Sequence, residues 1–252
     1  MKYILYPIFK IIDSLFPPKG LPVLMYHSIS SHKSRLAVSP EMFDRQMKYL
    51  KDRGYEAILP NNLNSLKNYK KKVMITFDDG FRDNYTTALP IMEKYGFKAA
   101  VFISTDYIGG KASYCRKDND KNLEMMNEEE IKELDKREWC IGSHFASHKD
   151  LDMISEDEIK DEYQKSHDKL KNILGDGEMI FSYPHSKYNE RVISILSINN
   201  IKMAFAGKNI FYTPKDSKYA LSRIEVPGYY QEIDKFSFLL LNSFMKFKYY
   251  VR

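Results

Sequence analysis

The sequence is poor in cysteine and has no long uninterrupted apolar run. Cysteine occurs only twice in 252 residues, at Cys115 and Cys140, which argues against a disulfide framework and is compatible with a reducing compartment. The apolar runs fall short of the roughly 20 residues that a membrane-spanning helix needs. Clusters of lysine and arginine interleaved with aromatic residues are also missing, so nucleic acid is not an expected partner.

The overall composition is that of an ordinary globular protein. Apolar residues make up 43% and charged residues 29% of the chain, and its length suits one barrel-sized domain with a sizeable core. The formal net charge of +5 favours an anionic surface or ligand only weakly. No internal repeat or linker divides the chain.

Residues 1–18 form an apolar and aromatic segment, which Lys10 and Asp13 interrupt. Its aliphatic residues recur at helical spacing: Ile4, Ile8, Ile11, Ile12 and Leu15. A polar region with a small-residue cleavage site is missing, so no signal peptide is predicted. The segment is either an interfacial helix that lies on a membrane or a helix packed against the main domain. The Phe-, Leu- and Lys-rich residues 231–252 form either a packing helix or a second membrane-contacting surface.

Between these ends, short apolar strands alternate with helices. The predicted strands cover residues 21–26, 55–59, 73–77, 98–103, 139–143, 201–206 and 221–226, with one more beginning at Met179. A helix opens at Ser39 and Pro40, and capping boxes begin others at Asn127 and Ser155. Further helices are predicted over residues 61–68 and 188–200. Strands separated by helices predict an α/β fold with a parallel sheet.

Two adjacent carboxylates follow the strand at residues 73–77. Asp78 and Asp79 lie at its C-terminal end, where α/β folds place their chemistry. Adjacent side chains point in different directions, so one carboxylate can bind a metal while its neighbour faces a substrate. Because Gly80 follows, an ordinary Asp-Gly turn is the competing interpretation.

Two histidines follow the strand at residues 139–143. The neutral imidazoles of His144 and His148, with one carboxylate, suit a divalent transition metal, most simply zinc. Their spacing alone is equally compatible with solvent-exposed loop histidines. A third strand is followed by Tyr183 and Pro184.

The segments TFDDG, SHFASH and FSYP lie in this order on successive strand ends, and together they resemble the motifs of the polysaccharide deacetylase family with its NodB-homology domain. The resemblance covers residues 22–226 and implies a distorted (β/α) barrel. It implies that Asp78 is the general base and that Asp79, His144 and His148 hold the metal. The implied cofactor is one divalent ion, zinc first, with cobalt, nickel or manganese as alternatives.

The resemblance also requires an acid for the leaving amine. The late histidine that most members use is missing, because no histidine follows His185. The segment LMYHSIS instead resembles the branch that deacetylates poly-N-acetylglucosamine, in which the acid histidine follows the first strand. His27 occupies that position. His185 competes for the role, and a plain capping or core position is the alternative for His27.

In the family, a backbone amide beside the metal stabilises the oxyanion. The resemblance assigns this donor to the N–H of Tyr183, with Pro184 fixing the loop. The arginine that usually orients the base is missing from the Tyr183 motif. Arg223, in the last predicted strand, can take its place in the substrate-binding group, or it forms a surface ion pair with a nearby carboxylate.

We therefore expect a metal-dependent hydrolase that removes N-acetyl groups from an N-acetylated sugar, in a glycan or on a lipid carrier. Two other classes stay open. One is a catalytically impaired carbohydrate-binding protein on the same fold, and the other is a non-haem iron enzyme that uses the same Asp/His/His site.

The expected domain division follows the limits of the resemblance. Residues 1–20 form an N-terminal apolar segment, residues 21–228 the deacetylase domain and residues 229–252 a helical tail. We expect a cytoplasmic protein or one bound peripherally at the inner membrane face.

Overall fold

The computed structural model describes residues 2–199 and 201–251, with side chains from residue 7 onward. Met1, Asn200, Arg252 and the side chain of Ile4, which enter the predictions above, lie outside the described part. The strands are β1 (Val23–Tyr26), β2 (Ser28–Ile29), β3 (Ala37–Val38), β4 (Glu56–Ala57), β5 (Lys72–Phe77), β6 (Ala100–Ile103), β7 (Cys140–Ser143), β8 (Ile180–Ser182), β9 (Met203–Ala206), β10 (Leu221–Ser222) and β11 (Ile224–Glu225). The helices are α1 (Lys2–Leu15), α2 (Pro40–Asp52), α3 (Leu89–Tyr95), α4 (Glu128–Lys136), α5 (Glu156–Leu174), α6 (Glu190–Ile198), α7 (Ile233–Phe238) and α8 (Asn242–Tyr250).

The main sheet runs in the order β10-β9-β8-β7-β6-β5-β1-β11, and its neighbouring strands are parallel. β10 and β11 are consecutive pieces of one chain segment, which pairs first with β9 and then with β1. This segment brings the two ends of the sheet together, so the sheet forms a nearly closed barrel surrounded by helices. The predicted α/β class and the distorted (β/α) barrel are confirmed.

Side chains of the strands alternate between the barrel interior and the helix layer. In β5, Met74 packs in the interior with Phe102 and Phe205, whereas Ile75 packs with residues of the surrounding helices. The same alternation turns Asp78, four residues after Met74, toward the interior. The period of the strand therefore decides which of the two adjacent aspartates faces inward.

Local sequence signals place the helix starts correctly. Ser39 caps α2 by accepting the N–H of Met42, and both predicted capping boxes form, at Asn127 of α4 and at Ser155 of α5. A cap of this kind satisfies amides that the helix itself cannot pair, and it stabilises a helix by about 0.5–2 kcal/mol.

Three predicted elements differ from the structure. The strand at residues 55–59 shortens to β4, and the helix at residues 61–68 is a 3-10 turn at Pro60–Ser65. The single strand at residues 221–226 is broken at Arg223. Its N–H donates to Ala206 O at 2.9 Å, and its carbonyl accepts from Asn209 N at 2.7 Å. The segment changes its pairing partner at this residue, which a pattern of alternating residues does not reveal.

The N-terminal helix α1 packs against α8. The Phe9 ring contacts those of Phe244 and Phe247 at centroid distances of 5.5 and 5.6 Å, and Asp13 accepts the N–H of Ser243 at 3.1 Å. Another side of α1 exposes Ile8, Ile11, Ile12 and Leu15. None of the helices in the described part has the length and apolar character to cross a bilayer. The membrane contact and the domain limits at residues 20 and 228 stay predictions.

Candidate active site

The predicted site residues meet at the C-terminal ends of the barrel strands, around a cavity of about 430 Å³. The predicted residues in its wall are His27, Asp78, Asp79, His144, His148, Tyr183 and His185. The aspartates follow β5, His144 follows β7 and Tyr183 follows β8. Pro184 and Arg223 are buried outside the cavity wall.

Asp79, His144 and His148 form a buried cluster in which one ligand atom of each lies within 4.8 Å of the others. Asp79 Oδ1 lies 3.5 Å from His144 Nε2 and 3.1 Å from His148 Nε2. Ligands around a tetrahedral ion with bonds of ~2.0–2.1 Å are separated by ~3.3 Å. Asp79 Oδ1 nevertheless makes no hydrogen bond within the described residues. A buried, unpaired carboxylate oxygen facing two imidazole nitrogens fits one divalent ion.

The neighbouring strand fixes the orientation of His144. Its Nδ1 donates to the carbonyl oxygen of Ser182 at 2.8 Å, so Nε2 carries the lone pair that faces Asp79. Burial lowers the pKa of His144 to about 4, although Asp78 opposes this shift. The imidazole is therefore neutral at physiological pH, which is the form that binds a metal.

The loop that carries both histidines is anchored by Glu162 of α5. This buried carboxylate accepts the N–H groups of Ala146 at 3.1 Å and of Ser147 at 2.8 Å. Phe145 and His148 in the loop have φ angles of 63° and 60°, a conformation that costs a non-glycine residue of order 1–3 kcal/mol. The sequence predictions missed Glu162, because a glutamate within a helix is normally a surface residue.

Asp78 is held by Arg223 in the barrel interior. The two terminal nitrogens of the guanidinium donate to the two carboxylate oxygens at 2.6 and 2.7 Å. The Ser182 hydroxyl donates to the same carboxylate at 3.2 Å. The rings of Phe102 and Phe205 flank the guanidinium, with centroids 5.4 and 5.9 Å from its central carbon. Arg223 therefore orients Asp78 from behind and does not line the cavity, and the surface ion pair is not formed.

Two opposing effects act on the pKa of each carboxylate. Burial raises the pKa, and neighbouring positive charge lowers it. Burial alone would raise the pKa of Asp78, but Arg223 and His144 lower it more, so its net pKa lies below the usual value. Burial also opposes ionisation of Asp79, and the nearby histidines, His148 foremost, lower its pKa well below the usual range. Both carboxylates are therefore ionised at neutral pH.

The backbone around His27 is fixed by two residues that follow the TFDDG motif. The carbonyl oxygen of His27 accepts from Asn84 Nδ2 at 2.7 Å. Asp83 accepts the Ser28 hydroxyl at 2.5 Å and the Ile29 N–H at 2.8 Å. These bonds tie the end of β1 to the aspartate-bearing loop after β5. The sequence predictions missed Asp83 and Asn84, although both lie within five residues of Asp79.

The amide of Tyr183, which the resemblance assigns to the oxyanion, has a backbone partner in the structure. Its N–H already donates to Phe205 O at 3.1 Å, as a continuation of the pairing between β8 and β9. The Tyr183 hydroxyl donates to Tyr219 O at 2.7 Å, away from the cluster. The amides of Ser186 and Lys187 are also hydrogen-bonded.

His185 is the residue of this loop that faces the cluster. Its ring lies 4.6 Å from that of His148, and its Nδ1 bonds to Asp150. Burial and His148 lower the pKa of His185, while Asp150 opposes the shift. No hydrogen bond joins the His185 amide to another described residue.

Both His185 and His27 line the cavity, so both remain candidates for the acid.

The polar loop at residues 109–122 lines one side of the cavity. Both cysteines of the protein, Cys115 of this loop and Cys140, are free. Tyr114 of this loop was not predicted as a site residue. Its ring lies 4.4 Å from that of His148, and its hydroxyl oxygen is buried without a hydrogen-bond partner among the described residues. A single tyrosine in a polar loop gives no sequence signal of such a position.

Comparison with known proteins relates the chain to polysaccharide deacetylases. The family model described as polysaccharide deacetylase matches residues 65–204. The chain is 33% identical over 217 residues to YxkH of Bacillus subtilis, named as a polysaccharide deacetylase, covering 84% of this chain and 73% of that protein. It is 26% identical over 217 residues to a poly-beta-1,6-N-acetyl-D-glucosamine N-deacetylase of Staphylococcus aureus, covering 80% of this chain and 71% of that protein.

A solved structure shares the fold over nearly its full length. The Streptococcus pyogenes deacetylase PplD, in complex with acetate, has a TM-score of 0.73 and 27% identity, covering 87% of this chain and 98% of that one. The region matched by the family model contains Asp78, Asp79, His144 and His148, but it includes neither His27 nor Arg223.

Proposed function

Because the chain belongs to the polysaccharide deacetylase family, we propose that it is a metal-dependent hydrolase that removes N-acetyl groups from an N-acetylated glycan and releases acetate. One observation carries the proposal. A buried Asp79–His144–His148 cluster shares its cavity with a separate carboxylate, Asp78, which Arg223 holds in place. The cluster alone would explain metal binding, whereas the second carboxylate adds a base for hydrolysis.

The cluster would hold one divalent ion, with zinc as the first choice because two imidazoles and a carboxylate suit it. Cobalt, nickel and manganese are the alternatives. Such an ion, when bound, supplies Lewis acidity to an acetyl carbonyl and to a water molecule.

Asp78 is the proposed general base. Arg223 and Ser182 fix its carboxylate, and its lowered pKa keeps it ionised at neutral pH. A positioned carboxylate in this state can accept a proton from the attacking water. The different partners of the two aspartates support this division of roles, because Asp78 bonds to Arg223 while Asp79 faces the histidines.

His27 is the proposed general acid. An amine anion is a poor leaving group, so a protonated side chain must donate to the departing nitrogen. The half-buried His27 lines the cavity, and Asn84 fixes its backbone. His185 is the alternative, since it lies at the same cavity and its Nδ1 is already bonded to Asp150.

For the developing oxyanion we propose the His185 amide in place of the Tyr183 amide. Oxyanion donors must be unpaired in the resting protein and must face the reacting carbonyl. Of the amides at residues 183–187, that of His185 is without a partner among the described residues. Pro184 opens the short turn that presents it.

The first substrate to test is poly-β-1,6-N-acetyl-D-glucosamine. A relative that is named as a deacetylase of this glycan matches the chain over 71% of the relative's length. A lipid-linked N-acetylated sugar is the second. The test is acetate release from a panel of N-acetylated glycans and lipid-linked sugars, after chelation and after addition of each metal. Release that depends on the added metal is expected. A panel without acetate release under any metal would contradict the proposed function.

The other classes predict different results in the same assay. A carbohydrate-binding protein without activity would retain glycan and release no acetate. A non-haem iron enzyme would require oxygen. The Asp78–Arg223 pair favours hydrolysis over both, because neither sugar binding nor oxygen chemistry needs a fixed second carboxylate beside the cluster.

We also propose a peripheral contact with anionic membranes through α1 and α8. Besides the exposed stripe of α1, α8 exposes Phe247, Tyr249 and Tyr250. Asp13 is the only acidic residue in the two helices, and it is turned toward Ser243. An apolar surface flanked by lysines is typical of an interfacial helix on anionic lipid. The cytoplasmic or inner-face location stays a prediction.

A further inference from the structure

The Tyr114 hydroxyl is a buried donor in the cavity wall that has no use within the described protein. Its oxygen is inaccessible to solvent and has no hydrogen-bond partner among the described residues. A hydroxyl that is buried unpaired costs about 1–3 kcal/mol. Phenylalanine would fill the same space without that cost, so the hydroxyl requires an explanation beyond packing.

The surroundings of Tyr114 hold its ring without help from the hydroxyl. The ring lies between those of His148 and Tyr107, at centroid distances of 4.4 and 4.6 Å. Ala112 and Cys115, on either side in the chain, pack with Phe81 in a small apolar cluster. The loop therefore fixes where the hydroxyl lies.

The ring of Tyr107 provides an internal comparison. Its hydroxyl donates to Ser147 O at 3.3 Å, on the loop that carries the histidines. The two neighbouring tyrosines thus differ in one respect, since the hydroxyl of Tyr107 is paired with the protein and that of Tyr114 has no partner among the described residues.

The unpaired hydroxyl belongs to a residue of the cavity wall, where a bound ligand can accept its hydrogen bond. Tyr114, Asp79 and His148 all line this cavity. Asp79 Oδ1 also has no hydrogen-bond partner among the described residues. A protonated phenol there offers one hydrogen bond to an oxygen acceptor.

We infer that the Tyr114 hydroxyl donates a hydrogen bond to the acyl oxygen of the bound substrate and to a carboxylate oxygen of the acetate product. The inference rests on the proposed function, which supplies an acyl group at this cavity. It adds a substrate-binding side chain to the site. This side chain comes from the loop at residues 109–122 and not from a strand end. It also gives the loop at residues 109–122 a role in binding the acyl group.

The test compares Tyr114→Phe with the matched variant Tyr107→Phe in the zinc-loaded full-length protein. The measurements are the dissociation constant of acetate by titration calorimetry, zinc affinity by competition with a chromophoric chelator, and KM and kcat for acetate release. A hydrogen bond to a charged acceptor corresponds to about a 10-fold or larger change in affinity. We expect Tyr114→Phe to weaken acetate binding by about that factor with unchanged zinc affinity, and Tyr107→Phe to leave acetate binding unchanged.

Three results would overturn the inference. Equal acetate affinity of Tyr114→Phe and the wild type, in a wild type that releases acetate, would overturn it and leave the proposed function intact. Weaker zinc affinity with unchanged acetate affinity would place the hydroxyl on Asp79 instead. A wild type that neither releases nor binds acetate would overturn the proposed function and the inference together.

Discussion

Arg223 and Asp78 form a closed ion pair in the barrel interior, although 145 residues separate them in the chain. The paired contacts of 2.6 and 2.7 Å fix the plane of the carboxylate. The positive charge keeps Asp78 ionised at a depth where burial alone would favour its neutral form. A base that is both buried and charged at neutral pH depends on this arginine.

Arg223→Lys should lower kcat for acetate release while zinc content stays stoichiometric. Lysine keeps the charge but not the two parallel hydrogen bonds, so the carboxylate loses its fixed orientation. Misplacement of a catalytic group by about 1 Å can cost about 10²-fold in rate. The rate and the metal content by mass spectrometry measure the two effects separately. Arg137→Lys, at an exposed ion pair, is the control, and equal rates of the two variants would contradict the role of Arg223.

His144→Ala should abolish both zinc retention and activity, because it removes one of three candidate ligands. Asp78→Asn should instead keep zinc and lose about 10²–10⁴-fold in kcat, the usual contribution of a positioned base. Zinc stoichiometry after dialysis separates two variants that are both inactive. Retention of zinc at full stoichiometry by His144→Ala would exclude the proposed ligand set. If Asp79→Asn keeps zinc and Asp78→Asn loses it, the roles of the two aspartates are exchanged.

His27→Ala should depress kcat strongly, leave zinc content unchanged and remove the basic limb of the pH–rate profile. That limb reports the acid that must be protonated to release the amine. The matched variant is His185→Ala, which removes the rival imidazole. His167→Ala, at a partly exposed histidine of α5 outside the cavity lining, controls for the loss of a histidine elsewhere. If His185→Ala alone removes the limb, the acid is His185 and the resemblance of His27 to the permuted branch is coincidental.

Ile11→Glu combined with Leu15→Glu should weaken binding to anionic vesicles, because both side chains lie in the exposed stripe of α1. Sedimentation with phosphatidylglycerol vesicles, compared with phosphatidylcholine vesicles, measures the effect. Met153→Glu is the control, since Met153 is an exposed apolar residue outside α1 and α8. Equal sedimentation of the wild type and the double variant would exclude the α1 contact. A wild type that dimerises in light scattering, and whose double variant is monomeric, would assign the surface to a second copy.

The strand ends and the helix caps could be predicted because their signals are local, whereas the candidate metal ligands were named from the resemblance of the TFDDG and SHFASH segments to a known family. The TFDDG and SHFASH segments place their polar residues directly after apolar strands, and parallel strands bring such ends to one side of a barrel. The capping boxes at Asn127 and Ser155 depend on residues three positions apart. No tertiary information is needed for either.

The remaining site features depend on contacts between distant segments. Glu162 supports the histidine loop from the middle of a helix, and Tyr114 reaches the cavity from an irregular loop. The amide of Tyr183 was assigned to the oxyanion by resemblance, but the pairing of β8 with β9 engages it. Sequence patterns describe which side chains are available, whereas backbone pairing decides which amides remain unpaired.

The break at Arg223 also has a consequence for incompletely synthesised chains. The three candidate ligands lie within residues 79–148, whereas the segment that joins β9 to β1 lies at residues 221–225. A chain that terminates before Leu221 would contain the whole cluster but would leave β1 and β9 as open edges with unpaired backbone groups, which are sites of aggregation. It would also lack the cation that keeps Asp78 ionised. A truncated product is therefore expected to be insoluble and inactive, even though it contains every residue of the candidate metal cluster.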